Sequence, residues 1–232
     1  METGIAAKIQ HIRQRLAQCE RKYAREPGEV QLIAVSKTHG AGRIEEAFTA
    51  GQRDFGENYL QEALAKQDEL AHLPLVWHFI GPIQSNKTRA IAERFDWVHS
   101  VDRAKVIRRL ADQRPPALAP LKVLLQVNIS GEVSKSGMAL AEVEDAAREV
   151  SAYSSLSLQG LMAIPAPSED FEEQRRVFRR LAEARDALLR QGFAACRHLS
   201  MGMSADFEAA IAEGATMVRI GTDIFGARSA PR

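Results

Sequence analysis

Cysteine is scarce in this chain: two in 232 residues, Cys19 and Cys196. They make no paired metal-ligand spacing, and one bridge is a weak framework for so long a chain. A disulfide scaffold is therefore excluded, and a reducing, cytoplasmic setting is expected. Neither sign of charge dominates, with Lys+Arg 31 against Asp+Glu 30 and a formal net charge of +1. That balance gives no electrostatic reason to expect nucleic acid or an acidic membrane as a partner. Long apolar runs are missing too, and the stretch after Met1 is amphipathic, carrying Lys8, Arg13 and Arg15. It reads as neither a signal sequence nor a membrane span. No histidine stands with another His or Cys at ligand spacing, so no metal site is expected, and no G-x-S-x-G elbow supports a hydrolase triad.

What is present is ordinary for a folded chain: 45% hydrophobic and 26% charged residues, enough for one domain over 1–232 with a substantial core. The first segment is helical by its period, with Ile5, Ile9, Ile12, Leu16, Cys19 and Tyr23 in one stripe, stopped by Pro27 and Gly28. Short apolar runs then alternate with helix-length segments. The predicted strands are Gln31–Ser36, Asp54–Gly56, Val76–Gly81, Trp97–Ser100, Lys122–Asn128, Ser157–Ile164, His198–Met201 and Met217–Ile220. Helices are predicted to start near Gly42, Tyr59, Ser85, Arg103, Leu140, Asp170 and Ser204, the sixth with Phe171, Phe178, Leu181, Leu188 and Leu189 on one side. Strict alternation implies a parallel sheet, and eight strands close into a (β/α)₈ barrel with one extra N-terminal helix. The competing open doubly wound sheet lacks a G-x-G-x-x-G turn after its first strand.

In such a barrel the active end is the C-terminal rim, and phosphate sites favour the loops after strands seven and eight. Those loops read Ser200-Met201-Gly202-Met203-Ser204, with Asp206 in the next helix's first turn, and Arg219-Ile220-Gly221-Thr222. Glycine lets backbone amides approach a phosphate and hydroxyls donate to it, although tight turns use the same residues. Lys37 ends the first strand, where a partly desolvated amine forms a Schiff base with an aldehyde; a solvated strand-end lysine is the plainer alternative. Other polar residues gather at predicted strand ends: Glu57, Asn58, Gln84, Asn86, Lys87, Ser134, Lys135 and Ser136. Alternation leaves His78 open to two readings, a hydrogen-bonded core histidine or a ligand contact, and Asn58 reads equally as a helix cap.

Taken together, several segments closely resemble the YggS/PROSC family of pyridoxal phosphate homeostasis proteins. They are Ala34-Val35-Ser36-Lys37-Thr38, Phe55-Gly56-Glu57-Asn58-Tyr59 and Trp77-His78-Phe79-Ile80-Gly81, with Gly160-Leu161-Met162-Ala163-Ile164-Pro165 and the two loops above. The resemblance spans Leu32 to Arg228. It implies the barrel of fold-type III enzymes of pyridoxal 5′-phosphate (PLP) without their second β domain, and Lys37 as the Schiff-base lysine. It also implies Ser200, Gly221 and Thr222 at the phosphate, Arg219 near the pyridine nitrogen and Asn58 close by; Met201, Gly202, His78 and Lys135 are secondary candidates. One departure is His39, where family members often carry a second lysine; Lys135 is the substitute candidate.

A guanidinium at the pyridine nitrogen donates and does not protonate it, which leaves a weaker electron sink than a carboxylate partner gives. The short tail after Phe225 supplies no second domain, and no acid/base pair flanks the substrate position. The expectation is therefore a monomeric PLP carrier or regulator serving PLP-dependent apo-enzymes, with no catalytic residue. A PLP-dependent racemase is the second reading, and a cofactor-free barrel enzyme for a phosphorylated metabolite the third.

Overall fold

Eight strands run parallel and pair in chain order into a closed barrel, β1 returning to β8. The computed structural model describes residues 4–131 and 136–226. The strands are β1 (Gln31–Val35), β2 (Asp54–Glu57), β3 (Val76–Phe79), β4 (Trp97–Val101), β5 (Leu121–Gln126), β6 (Leu156–Met162), β7 (His198–Ser200) and β8 (Met217–Ile220). The helices are α1 (Ile5–Lys22), α2 (Ala41–Thr49), α3 (Leu60–Glu69), α4 (Thr88–Arg94), α5 (Ala104–Gln113), α6 (Val143–Ser151), α7 (Phe171–Arg190), α8 (Phe207–Ala212) and α9 (Thr222–Phe225).

Period-two alternation sends the strand side chains into two separate layers. Leu32, Ala34, Phe55, Trp77 and Val218 face outward and pack with the helices in the large core. Ile33, Trp97, Leu124, Met162 and Met217 form a second, smaller cluster inside the barrel. Register extends that inner layer, because residues opposite each other on parallel strands share a face. Ile33 lies opposite Arg219, Trp97 opposite His78, and Met162 opposite Ser200. The barrel interior thus carries a polar set above and beside an apolar plug. The same parity brings Lys37 and Asn58 inward at the rim, just past the ends of β1 and β2.

The outer ring is completed in an unusual order. The helix after β8, α9, is a single four-residue turn, too short to cover a strand pair. Helix α1 packs against α2, α8 and α9 and supplies the missing cover with the buried Ile5, Ile9, Ile12 and Leu16. Each such fully buried side chain contributes roughly 1.5–3 kcal/mol.

Local differences from the sequence reading have identifiable causes. Helix α1 ends at Lys22, before Pro27 and Gly28, because Tyr23 caps it and Ala24 turns the chain at φ 51°. The Glu20 carboxylate then accepts the amides of Gly28 and Val30, so Pro27 and Gly28 belong to a turn tied back onto the helix. The helices expected from Ser85 and Leu140 begin as single 3₁₀ turns ahead of α4 and α6. Helix α8 starts at Phe207 with Asp206 before it, since Ser204–Asp206 is a turn. Phe171 is exposed at the start of α7, while Phe178, Leu181 and Leu188 are buried as the period implies. Among the described residues no helix is long and apolar enough to cross a membrane.

Candidate functional site

A cavity of about 290 Å³ opens at the C-terminal rim of the barrel. Val35 and Lys37 from the end of β1, Asn58 after β2 and Ile80 after β3 form one side. Met203, Ser204 and Ala205 after β7 and Arg219, Gly221 and Thr222 from β8 and its loop form the other, with Ile164 and His39 completing the wall. Five residues singled out from the sequence are therefore brought together: Lys37, Asn58, Arg219, Gly221 and Thr222. Among the described lining residues there is no carboxylate, while Lys37 and Arg219 both contribute cationic groups. Such a lining favours an anion.

Each wall is held by a nameable arrangement. Arg219 is buried; its Nη1 donates to Ser200 Oγ at 2.7 Å and its Nη2 to the Ala163 carbonyl at 3.0 Å. Burial pulls its pKa down to about 10, with the Asp206 charge opposing. Gly221 lets the loop after β8 lie against β1, where a Cβ would stand 3.2 Å from the Val35 carbonyl oxygen. Gly202 adopts φ +92°, and a Cβ there would meet Ala210 Cβ at 2.7 Å; the turn it makes lets Met203 to Ala205 form cavity wall. The Met203 amide is fixed by Asp206 Oδ1 at 2.6 Å. His39 stacks on Phe225 with ring centroids 5.3 Å apart, and burial lowers its pKa. Asn58 carries a buried side-chain oxygen, Oδ1, that has no hydrogen-bond partner among the described residues.

The segment bearing Lys37 is anchored from outside the barrel. Buried Lys66 on α3 donates to the Ser36 carbonyl at 2.8 Å, Glu57 Oε1 at 2.7 Å and Glu62 Oε1 at 2.5 Å. Ser36 Oγ donates to Glu57 Oε1 at 2.6 Å, and the Thr38 amide to Glu62 Oε1 at 2.6 Å. Lys37 is thus flanked on both sides by residues tied to one buried ion cluster. Burial raises the Glu57 pKa, against the lowering by Lys66 and Ser36.

Four candidates lie elsewhere. Ser200 is not on the cavity wall: it ends β7 facing the barrel interior, and its hydroxyl is engaged by Arg219 and by His99 Nδ1 at 2.8 Å. The loop hydroxyl that does line the cavity is Ser204, which the sequence reading placed in the candidate phosphate loop without singling it out as a binding residue. His78 is buried inside the barrel, with Nδ1 2.9 Å from His99 Nε2 and Nε2 3.0 Å from Asp54 Oδ1, which makes it a core histidine. Met201 is buried in the outer core, and Gly202 serves the turn. Lys135, like Ser134, lies outside the described residues. Ile80, Ile164 and Met203, the apolar part of the wall, carried no signal that separated them from core residues.

Three comparisons place these features among known proteins. Residues 8–229 match the family model for the alanine racemase N-terminal domain. A pyridoxal phosphate homeostasis protein of Pseudomonas aeruginosa is 56% identical over 224 residues, covering 97% of this chain and 96% of the relative. PipY of Synechococcus elongatus, solved with PLP bound, superposes with a TM-score of 0.84 at 39% identity, over 96% of this chain and all of that one. The alanine racemase of Corynebacterium glutamicum, at 20% identity and a TM-score of 0.70, shares the fold; this chain covers 62% of its length.

Proposed function

This chain belongs to the pyridoxal phosphate homeostasis proteins of the alanine racemase N-terminal domain family, and from that premise we propose that it binds PLP in the rim cavity and serves intracellular PLP homeostasis. The observation that carries the reading is the convergence of a lysine, a buried arginine and glycine-bearing loops on one cavity whose described lining residues include no carboxylate.

The residues present fit that cofactor. Asn58 Oδ1 is a buried polar atom without a partner among the described residues, so the amide has bonding capacity left for a ligand. Gly221 and Thr222 both line the cavity, and the first amides of a helix lack intrahelical acceptors. Ser204, Gly221 and Thr222 are the residues proposed to hold the phosphate. Arg219, a donor with no accepting atom, would face the pyridine nitrogen. PLP supplies an aldehyde that condenses with a primary amine, and Lys37 is proposed as that amine. Arg219 keeps its own proton, so this chain does not strengthen the ring as an electron sink. For that reason we read the protein as a carrier without efficient turnover of amino acids. Its finer description, a cytoplasmic monomer that yields PLP to apo-enzymes, belongs to the same proposal.

The test is chemical. Borohydride reduction of the PLP-loaded protein, then digestion and mass spectrometry, is expected to give a pyridoxyl adduct on Lys37. An adduct mainly on Lys87 or Lys135 would overturn the assignment. Incubation of the loaded protein with L-alanine in deuterated water is expected to leave the Cα hydrogen in place. Rapid exchange abolished by Lys37→Ala would make the chain a racemase instead.

A further inference from the structure

Beneath the cavity a line of hydrogen bonds crosses the barrel interior from Arg219 to Asp54. It runs Arg219 Nη1 to Ser200 Oγ, 2.7 Å; Ser200 Oγ to His99 Nδ1, 2.8 Å; His99 Nε2 to His78 Nδ1, 2.9 Å; and His78 Nε2 to Asp54 Oδ1, 3.0 Å. The four inner residues are fully buried or nearly so, and Asp54 is partly exposed at 19%. Trp97 seals one side, stacked on His78 with ring centroids 5.7 Å apart and edge-on to His99 at 6.1 Å.

The two ends fix the direction of every proton between them. A guanidinium only donates and an ionised carboxylate only accepts, while a neutral imidazole has one donor and one acceptor nitrogen. Ser200 accepts from Arg219, so its own proton goes to His99 Nδ1. His99 then donates through Nε2 to His78 Nδ1, and His78 donates through Nε2 to Asp54. The reverse sense would set the His78 Nε2 lone pair against a carboxylate oxygen at 3.0 Å and leave the Ser200 proton without an acceptor in the line. A doubly protonated ring is opposed by burial, which lowers the pKa of both histidines. Aligned bonds of this kind polarise one another in a low-dielectric interior.

We propose that Asp54, His78, His99 and Ser200 are positioning residues for Arg219, a one-way hydrogen-bond line that holds its guanidinium on the cavity floor as a fixed donor. What Arg219 donates to rests on the PLP reading above; the sense of the line does not. Asp54, at the opposite end of the barrel from the cavity, thereby acts on ligand binding without touching the ligand.

The ring nitrogens report the answer directly. In ¹⁵N-labelled protein free of PLP, long-range proton–nitrogen correlation at neutral pH is expected to show His78 and His99 both protonated at Nε2 only. A proton on Nδ1 of either ring, or an imidazolium, would overturn the proposal. Asp54→Ala is expected to release the His78 tautomer and weaken PLP binding by about three- to tenfold, the size of one ordinary hydrogen bond. Asp54→Asn, whose amide oxygen still accepts, is expected to retain both. Unchanged tautomers and affinity in Asp54→Ala would defeat the idea. If Asp54→Ala does not fold, Ser200→Ala cuts the line at its other end and is expected to release the His99 tautomer. Fixed tautomers in a protein that fails to bind PLP would remove the cofactor reading and leave the line intact.

Discussion

Thr38 holds a left-handed backbone conformation, φ 67°, that a β-branched side chain rarely adopts. The strain is roughly 1–2 kcal/mol, and it is maintained beside Lys37 by the Glu62 carboxylate on the Thr38 amide. Strain of this kind persists where the surroundings over-determine it, and here they do so next to the residue that the proposal makes reactive. The two loop serines divide differently. Ser204 lines the cavity, whereas Ser200 supports Arg219 from below. Ser204→Ala is expected to weaken PLP by about 1–3 kcal/mol, as for a lost charge-assisted bond, and to leave phosphate-free pyridoxal unaffected. Ser200→Ala, acting through Arg219, is expected to weaken both aldehydes alike. Titrations of the two aldehydes against the two variants check this, and equal losses in Ser204→Ala would move the phosphate elsewhere. Lys37, Asn58 and Arg219 were legible as polar residues at predicted strand ends, but only the family resemblance picked them out as cofactor residues. Which hydroxyl of Ser200-Met201-Gly202-Met203-Ser204 reaches the cavity depends on a turn at Gly202 whose direction no residue count supplies.

At the scale of elements, the joint between β1, β2 and α3 rests on a buried lysine shared by two carboxylates. Lys66→Met would leave Glu57 charged and buried without its cation, a loss of roughly 3–5 kcal/mol at neutral pH. Glu57 already has a raised pKa from burial, so acid neutralises it and the difference between variant and parent should shrink as the pH falls. Urea unfolding of both chains at neutral and mildly acidic pH checks this; a constant difference would show that the ion cluster is not the cause. The strand and helix order was legible because short, nearly continuous apolar runs, buried on both faces as a barrel strand is, alternate with longer helix-length segments. The ends of elements were less so. Tyr23 and Ala24 stop α1 through local backbone geometry, and the short α9 carries too few residues for any period to show.

For the whole molecule, acid should be the weak side. His78 and His99 are buried and held below the usual imidazole range, chiefly by desolvation. Below a pH of about 6.5 the unfolded chain protonates these histidines and the folded chain does not. Their contribution is therefore full above that value and is lost as the pH falls toward the folded pKa, by up to about 1.4 kcal/mol per pH unit for each ring. Glu57 and Asp206, raised by burial, act in the opposite sense. Urea midpoints measured from mildly alkaline to mildly acidic pH are expected to drop once the imidazole range is crossed; a flat profile would show that the interior histidines are already charged. The outer ring has a further consequence for how the chain is made. Helix α1 covers elements that follow it by most of the chain, as the Lys22–Glu208 pair shows at a separation of 186 residues. At a synthesis rate of about 5–20 residues per second, α1 waits roughly 10–40 s on the ribosome for α8 to be made. Throughout that interval its Ile5, Ile9, Ile12 and Leu16 stripe has α2 to pack on but not α8 or α9, which makes this half-covered segment a client for a chaperone that holds nascent chains.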